Sequence, residues 1–198
     1  MARTVGSSAD ATRQQILAAA RELFVERGYA GASIKDITER VGVTKGSLYY
    51  HFSSKEEILH ALVSPLIEAL EAFTAEVTAA GGLDADLVRR LLDLIDEHSG
   101  VLKSVFGDPS TAQSLAMRHR LPARIDALVR AVAGSDDPVA VLRALCVLGV
   151  IHAATLAPAG IEFDADGVPA PRFGTAPLTG EQRKFALAAA LAVLDLPT

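Results

Sequence analysis

Residues 42–52, GVTKGSLYYHF, gather Lys45, His51 and the hydroxyls of Thr44, Ser47, Tyr49 and Tyr50 within one short strip. Two chemistries use such a set. Lysine, tyrosine and histidine can pass protons in an enzyme. The same side chains can grip phosphate oxygens. An ordinary exposed turn, with Tyr49 or Tyr50 half-buried on a neighbouring helix, is the third reading. The enzymatic one finds no support elsewhere in the chain. There is no G-x-S-x-G, no H-E-x-x-H and no glycine-rich phosphate loop. The five histidines are scattered, and no paired carboxylate stands out. A single cysteine, Cys146, rules out an intramolecular disulfide framework and a Cys-rich zinc site. No enzyme activity, metal or cofactor is expected.

The strip needs a scaffold, and the flanking sequence supplies one. Ser33 with Asp36 opens a short helix whose inward face is Ile34, Ile37 and Val41, and Gly42 ends it. Thr44 caps the next helix, over 45–51. The Gly42-Val43 connection has the size of a helix-turn-helix turn. With Leu48 placed inward at 100° per residue, Phe52 stacks one turn below it. Gly46 and Tyr50 then point most nearly outward, with Ser47 and Tyr49 on the flanks. Glycine costs about 1 kcal/mol relative to alanine in a helix. On an outward face that cost is intelligible if the helix must approach a groove closely.

Ahead of this pair, residues 1–11 read as a loose arm. Thr12 and Gln15 suggest a capping box for a first helix carrying Ile16, Leu17, Ala20, Leu23 and Phe24, with Gly28 as its stop. Charge adds a mild pointer. The chain carries a net −5. Residues 1–55 hold eight Lys/Arg against five acids, a net +3, so the remainder stands at −8. A small basic head on an acidic body suits a polyanionic partner for the head alone.

The run TRQQILAAARELFVERGYAGASIKDITERVGVTKGSLYYHFSSKEEIL, residues 12–59, closely resembles the DNA-binding domain of TetR-type transcriptional regulators. The features are Ala20, Leu23-Phe24, Gly28-Tyr29, Ser33-Ile34, Asp36-Ile37, Gly42-Val43, Lys45-Gly46, Leu48-Tyr49, His51-Phe52 and Lys55-Glu56. Two departures stand out: Ala32 where a threonine is common, and Thr38 where a small alanine is usual. The resemblance implies that 45–51 is a recognition helix in the major groove of double-stranded DNA. It further implies that Ser33, Thr44, Tyr49, His51 and Lys55 grip backbone, while Lys45, Ser47 and Tyr50 are candidates for base contact. Gly46 would permit close approach.

Beyond residue 53 the sequence reads as a helical bundle. Ser54 with Glu57 opens a long helix, and Pro65 should kink it or restart it with Ser64 as cap. Asp84, Asp108-Pro109, Pro122 and Asp137-Pro138 start further helices. The helix from 138 to about 157 is apolar nearly all round and should be buried on most sides. Its apolar run, 144–161, is interrupted by His152, Pro158 and two glycines, so no membrane span is expected. Residues 158–178, rich in proline and glycine, form a long connection that is either functional or disordered. Thr179 with Gln182 caps the last helix. No strand is expected.

The chain therefore reads as all-α: a helix-turn-helix head over 12–53 and a ligand-binding and dimerisation domain over 54–198. By the resemblance, the last two helices form a homodimer interface. Gly149, Ala153, Ala189 and Ala192 would provide its small contact surface. An effector pocket is expected between residues 55 and 157, with His98, Phe106, Met117 and His152 as candidates, for a small hydrophobic or amphipathic effector. The expected function is that of a cytoplasmic repressor which binds a pseudo-palindromic operator. A helical small-molecule carrier without DNA binding is the alternative.

Overall fold

A computed structural model describes residues 5–105, 109–156, 160–163, 169–172 and 177–196. Three helices form the head: α1 (Val5–Gly31), α2 (Ile34–Val41) and α3 (Lys45–His51). Two long helices follow, α4 (Lys55–Ala80) and α5 (Ala85–Val105), then α6 (Pro109–Arg118) and α7 (Leu121–Ala133). α8 (Pro138–Thr155) and α9 (Gly180–Leu194) close the chain. Between them lies a small antiparallel hairpin, β1 (Gly160–Phe163) with β2 (Pro169–Arg172), in which Gly160 pairs with Arg172 and Phe163 with Pro169. Part of the 158–178 connection thus has structure of its own. It lacks the apolar-polar alternation that marks a strand in sequence.

Local signals explain most boundaries. Ser33 and Asp36 make a reciprocal capping box at the start of α2, and Thr179 and Gln182 make another at α9. Asp137 accepts from the amides of Val139 and Ala140 at 3.1 and 3.0 Å, so two orphan donors of α8 are satisfied. At α4, Ser54 accepts from the Glu57 amide at 3.1 Å, but the Glu57 carboxylate reaches back to Ser53 instead. The first helix differs from expectation at both ends. It starts at Val5, so Thr12 lies inside it. Gly28 breaks its geometry with φ 73° and ψ 162°, yet helical turns resume to Gly31. α4 runs unbroken through Pro65, with the Ser64 hydroxyl donating to the carbonyl of His60 at 2.8 Å rather than capping a new helix.

Two cores hold the molecule. The first joins Ile16, Leu23 and Phe24 of α1 to Ile37, Leu48 and Phe52, and continues into Ile58, Leu62 and Val63 of α4, Val101 of α5 and Leu115 of α6. The second joins the far halves of α4 and α5 (Phe73, Val77, Val88, Leu92) to α7, α8 and α9. α4 and α5 therefore run through both. The expected division at 53–54 falls inside the first core.

Within this one chain α8 is covered on one side. Only Ala140, Ala144, Val147, Ile151 and Thr155, on one side, are buried. Val139, Leu142 and Leu145 stand 52, 60 and 49% exposed on the opposite side. An all-round apolar helix needs cover on every face, but its sequence does not say whether that cover comes from the same chain. By length and composition α4 and α8 could each cross a membrane, as core helices of globular proteins also can.

Candidate DNA-binding surface and effector cavity

The head is built around α3. Gly42 sits at φ 77° in the left-handed region, where glycine carries no steric penalty, and its amide donates to the Thr38 carbonyl at 2.9 Å. Val43 donates to the same carbonyl at 3.1 Å, which fixes the turn. Thr44 caps α3 through the Ser47 amide at 3.1 Å. Leu48 is fully buried and Phe52 nearly so. This anchoring turns Lys45, Gly46, Tyr49 and Tyr50 outward, with Tyr50 81% exposed. Ser47 and His51 are half-buried on the flanks, and the Tyr50 and His51 rings meet edge to face. A Cβ added at Gly46 would meet nothing nearer than the Thr44 hydroxyl at 3.8 Å. Nothing within the head therefore demands glycine there.

The head's positive charge is mostly engaged inside the head. Arg40 of α2 forks onto Glu26 of α1 at 2.9 and 3.0 Å and reaches Glu22. Hydrogen bonds from Arg40 hold the Glu26 carboxyl below its ordinary range. Arg27 pairs with Asp36 at 3.0 Å, and Arg13 lies over the Phe52 ring. Lys45, at the first position of α3, has no ion-pair partner among the described residues.

Lys55 is placed differently from the expectation of a phosphate grip. Its ammonium donates to the carbonyls of Tyr29 and Ala32, each at 2.9 Å, and lies 4.2 Å from the centre of the Tyr29 ring. It thus ties the start of α4 to the end of α1, where helix carbonyls need donors. Ala32 is buried beneath it, and Thr38 is buried with its hydroxyl on the Lys35 carbonyl. Both departures from the TetR-type pattern therefore face inward. Ser33 is exposed at the α2 cap, with its hydroxyl engaged by Asp36.

The effector candidates do not converge. Met117 is 70% exposed, and His152 is exposed on the outer side of α8. His98 is half-buried, with Nδ1 3.0 Å from the carbonyl of Leu94 on its own helix. Phe106 lies outside the described residues. A cavity of about 330 Å³ lies instead between α4 and α7, walled by Ile67, Leu70, Leu121 and Leu128 and edged by Glu71 and Arg124. Its wall residues fall at the spacing of ordinary core positions, so nothing in the sequence sets them apart.

A second unforeseen feature lies beside it. His60 of α4 is buried, and its Nδ1 is 3.1 Å from Nε2 of His119, just beyond α6. His60 Nε2 faces the Glu56 carboxylate at 3.4 Å, and Ser114 of α6 donates to that carboxylate at 2.6 Å. Burial, then the charges of His60, Arg124 and Arg118, push the His119 pKa down. The one signal in sequence was a histidine at a core phase of an apolar helix. The next residue, Arg120, holds a left-handed backbone at φ 51° and lines the cavity.

On the outer side of the body, Gly149 and Ala153 are exposed between Leu145 and the end of α8. On α9, Ala192 is exposed beside Phe185 and Ala188, whereas Ala189 is half-buried.

Residues 16–62 match the family described as "Bacterial regulatory proteins, tetR family". HTH-type transcriptional regulator SrpR of Pseudomonas putida is 37% identical over 92 residues, which cover 46% of this chain and 43% of SrpR. The uncharacterized HTH-type transcriptional regulator TtgW, also of Pseudomonas putida, is likewise 37% identical over 92 residues, and here the match covers 69% of the relative. This chain belongs to the tetR family. The family is one of regulatory proteins, which removes the enzymatic reading. The whole tetR fold is visible in a family member from Streptomyces coelicolor A3, which superposes with a TM-score of 0.58 at 23% identity and covers 92% of this chain and 91% of its own. The match to SrpR spans less than half of that relative's length.

Proposed function

We propose that this tetR-family protein is a cytoplasmic, dimeric repressor that binds a pseudo-palindromic operator and is released by a small amphipathic effector. The observation that carries the reading is α3, a capped helix fixed by Leu48 that turns Lys45, Gly46, Tyr49 and Tyr50 outward. A helix N-terminus and hydroxyls suit phosphate oxygens. Lys45, Ser47 and Tyr50 would reach base edges, while Thr44, Tyr49, His51 and Ser33 would hold backbone. Lys55 acts from within by fixing the head.

Dimerisation is supported by the exposed apolar face of α8, continued by Phe185 and the small residues of α9. Gly149, Ala153 and Ala192 would let a second copy approach closely. A two-fold dimer would present two recognition helices roughly 34–36 Å apart. Effector control needs differential affinity for two states. Because α4 joins the head to the cavity wall, a ligand that shifts α4 changes the spacing of the heads. A gel-shift survey of DNA flanking the protein's own gene tests the reading. A specific, ligand-free complex is expected. No specific complex with any fragment at moderate salt overturns it.

A further inference from the structure

The cavity between α4 and α7 has apolar walls, yet its edge is charged. Arg120 and Arg124 stand against a single carboxylate, Glu71. The Arg124 Nη2 donates to Glu71 Oε1 at 2.9 Å. The other terminal nitrogen, Nη1, is buried and has no hydrogen-bond partner among the described residues. Such an orphan donor is rare in folded proteins and calls for an explanation. The excess positive charge is felt nearby, since Arg124 helps to depress the His119 pKa.

We infer that this cavity binds an amphipathic monocarboxylate, with its apolar body on Ile67, Leu70 and Leu128 and its carboxylate on Arg124. The inference rests on the effector-controlled reading above and names the chemical class of that effector. A guanidinium offers paired N–H donors that match the two oxygens of a carboxylate. One edge of Arg124 is taken by Glu71, and Nη1 belongs to the part left unfilled. A small side-chain rotation, of the kind common on binding, turns it toward the cavity. A neutral acceptor would fill the hydrogen bond but leave the second guanidinium uncompensated. A polyanion would meet Glu71 in a cavity of only about 330 Å³, near the lower end for small-molecule sites.

The test is calorimetric titration of the full chain with octanoate and, separately, with 1-octanol. Octanoate should bind about tenfold or more tightly, the scale set by a charge-assisted hydrogen bond. Arg124→Gln should erase that preference while leaving octanol binding unchanged. Glu71→Gln should tighten octanoate several-fold, because it releases the competing partner. This variant keeps the test decisive if Arg124→Gln folds poorly. Equal affinity for acid and alcohol, no octanoate binding, or no change in octanoate affinity in Glu71→Gln would each overturn the inference. Gel shift with the ligand-free protein separates the two readings. Intact operator binding with failed calorimetry removes only the ligand class, whereas lost operator binding removes the regulator itself.

Discussion

Gly46 and Lys55 show how one side chain, or the lack of one, divides stability from function. Around Gly46 the head accommodates an added Cβ at ordinary van der Waals distance, its nearest neighbour being 3.8 Å away. Gly46→Ala should therefore raise stability by up to about 1 kcal/mol, or roughly 2–4 °C in Tm for a chain of this size. The added methyl would sit where DNA approaches, so operator affinity should fall about tenfold, the scale of an overpacked contact. Melting curves and gel shifts on one preparation check both signs. Lys55→Met should do the reverse. It removes a charged donor from two carbonyls, of which that of Tyr29 still accepts from the Ala32 amide at 3.4 Å, and should cost about 1–3 kcal/mol of stability. The salt dependence of DNA binding should not change, whereas loss of a phosphate contact lowers its slope by about 1. Sequence exposed the outward set around α3, because Leu48 and Phe52 fix its phase. It could not reveal Lys55's partners, since a lysine at a helix start reads the same whether it meets phosphate or carbonyl.

Among the elements, α4 and α6 carry the most informative joint. His60, His119, Glu56 and Ser114 link the first turns of α4 to the end of α6, and Arg120 continues that corner into the cavity wall. The His119 ring stands 3.1 Å from that of His60. The His119 pKa is lowered in the fold by burial and by the charges of His60, Arg124 and Arg118, so protonation favours the unfolded chain. The stabilisation is complete above the ordinary histidine value of 6.5 and is lost as pH falls through the lower, folded value. Thermal stability should drop between neutral and mildly acidic pH, and His119→Asn should flatten that drop. Melting temperatures across a pH series, at constant ionic strength, decide it; an unchanged slope in the variant counts against the joint. Most helix boundaries were legible, because capping residues such as Ser33, Asp137 and Thr179 act within four residues of themselves. The hairpin and the two-histidine joint were not legible. Their partners lie far apart in sequence, and spacing alone does not pair them.

For the molecule as a whole, a single chain leaves the apolar outer face of α8 uncovered. Leu145→Glu should yield a monomer in sedimentation analysis with a near-normal far-UV spectrum. Operator affinity should fall by more than an order of magnitude, because two half-sites no longer act together. A variant that remained dimeric would move the interface elsewhere. Hydrophobicity in the sequence measures the demand for cover but does not say whether the same chain or a second copy meets it; only the family resemblance points to a second copy. The first core has a further consequence, for modular engineering. Its side chains come from α1, α2, α3, α4, α5 and α6. A head excised at residue 53 would leave behind Ile58, Leu62, Val63, Val101 and Leu115 and expose the apolar surface they cover. Domain swaps between such regulators, made to rewire which signal controls which gene, should therefore fail at that seam. A graft that carries the facing residues of α4, α5 and α6 along with the head should keep the core whole.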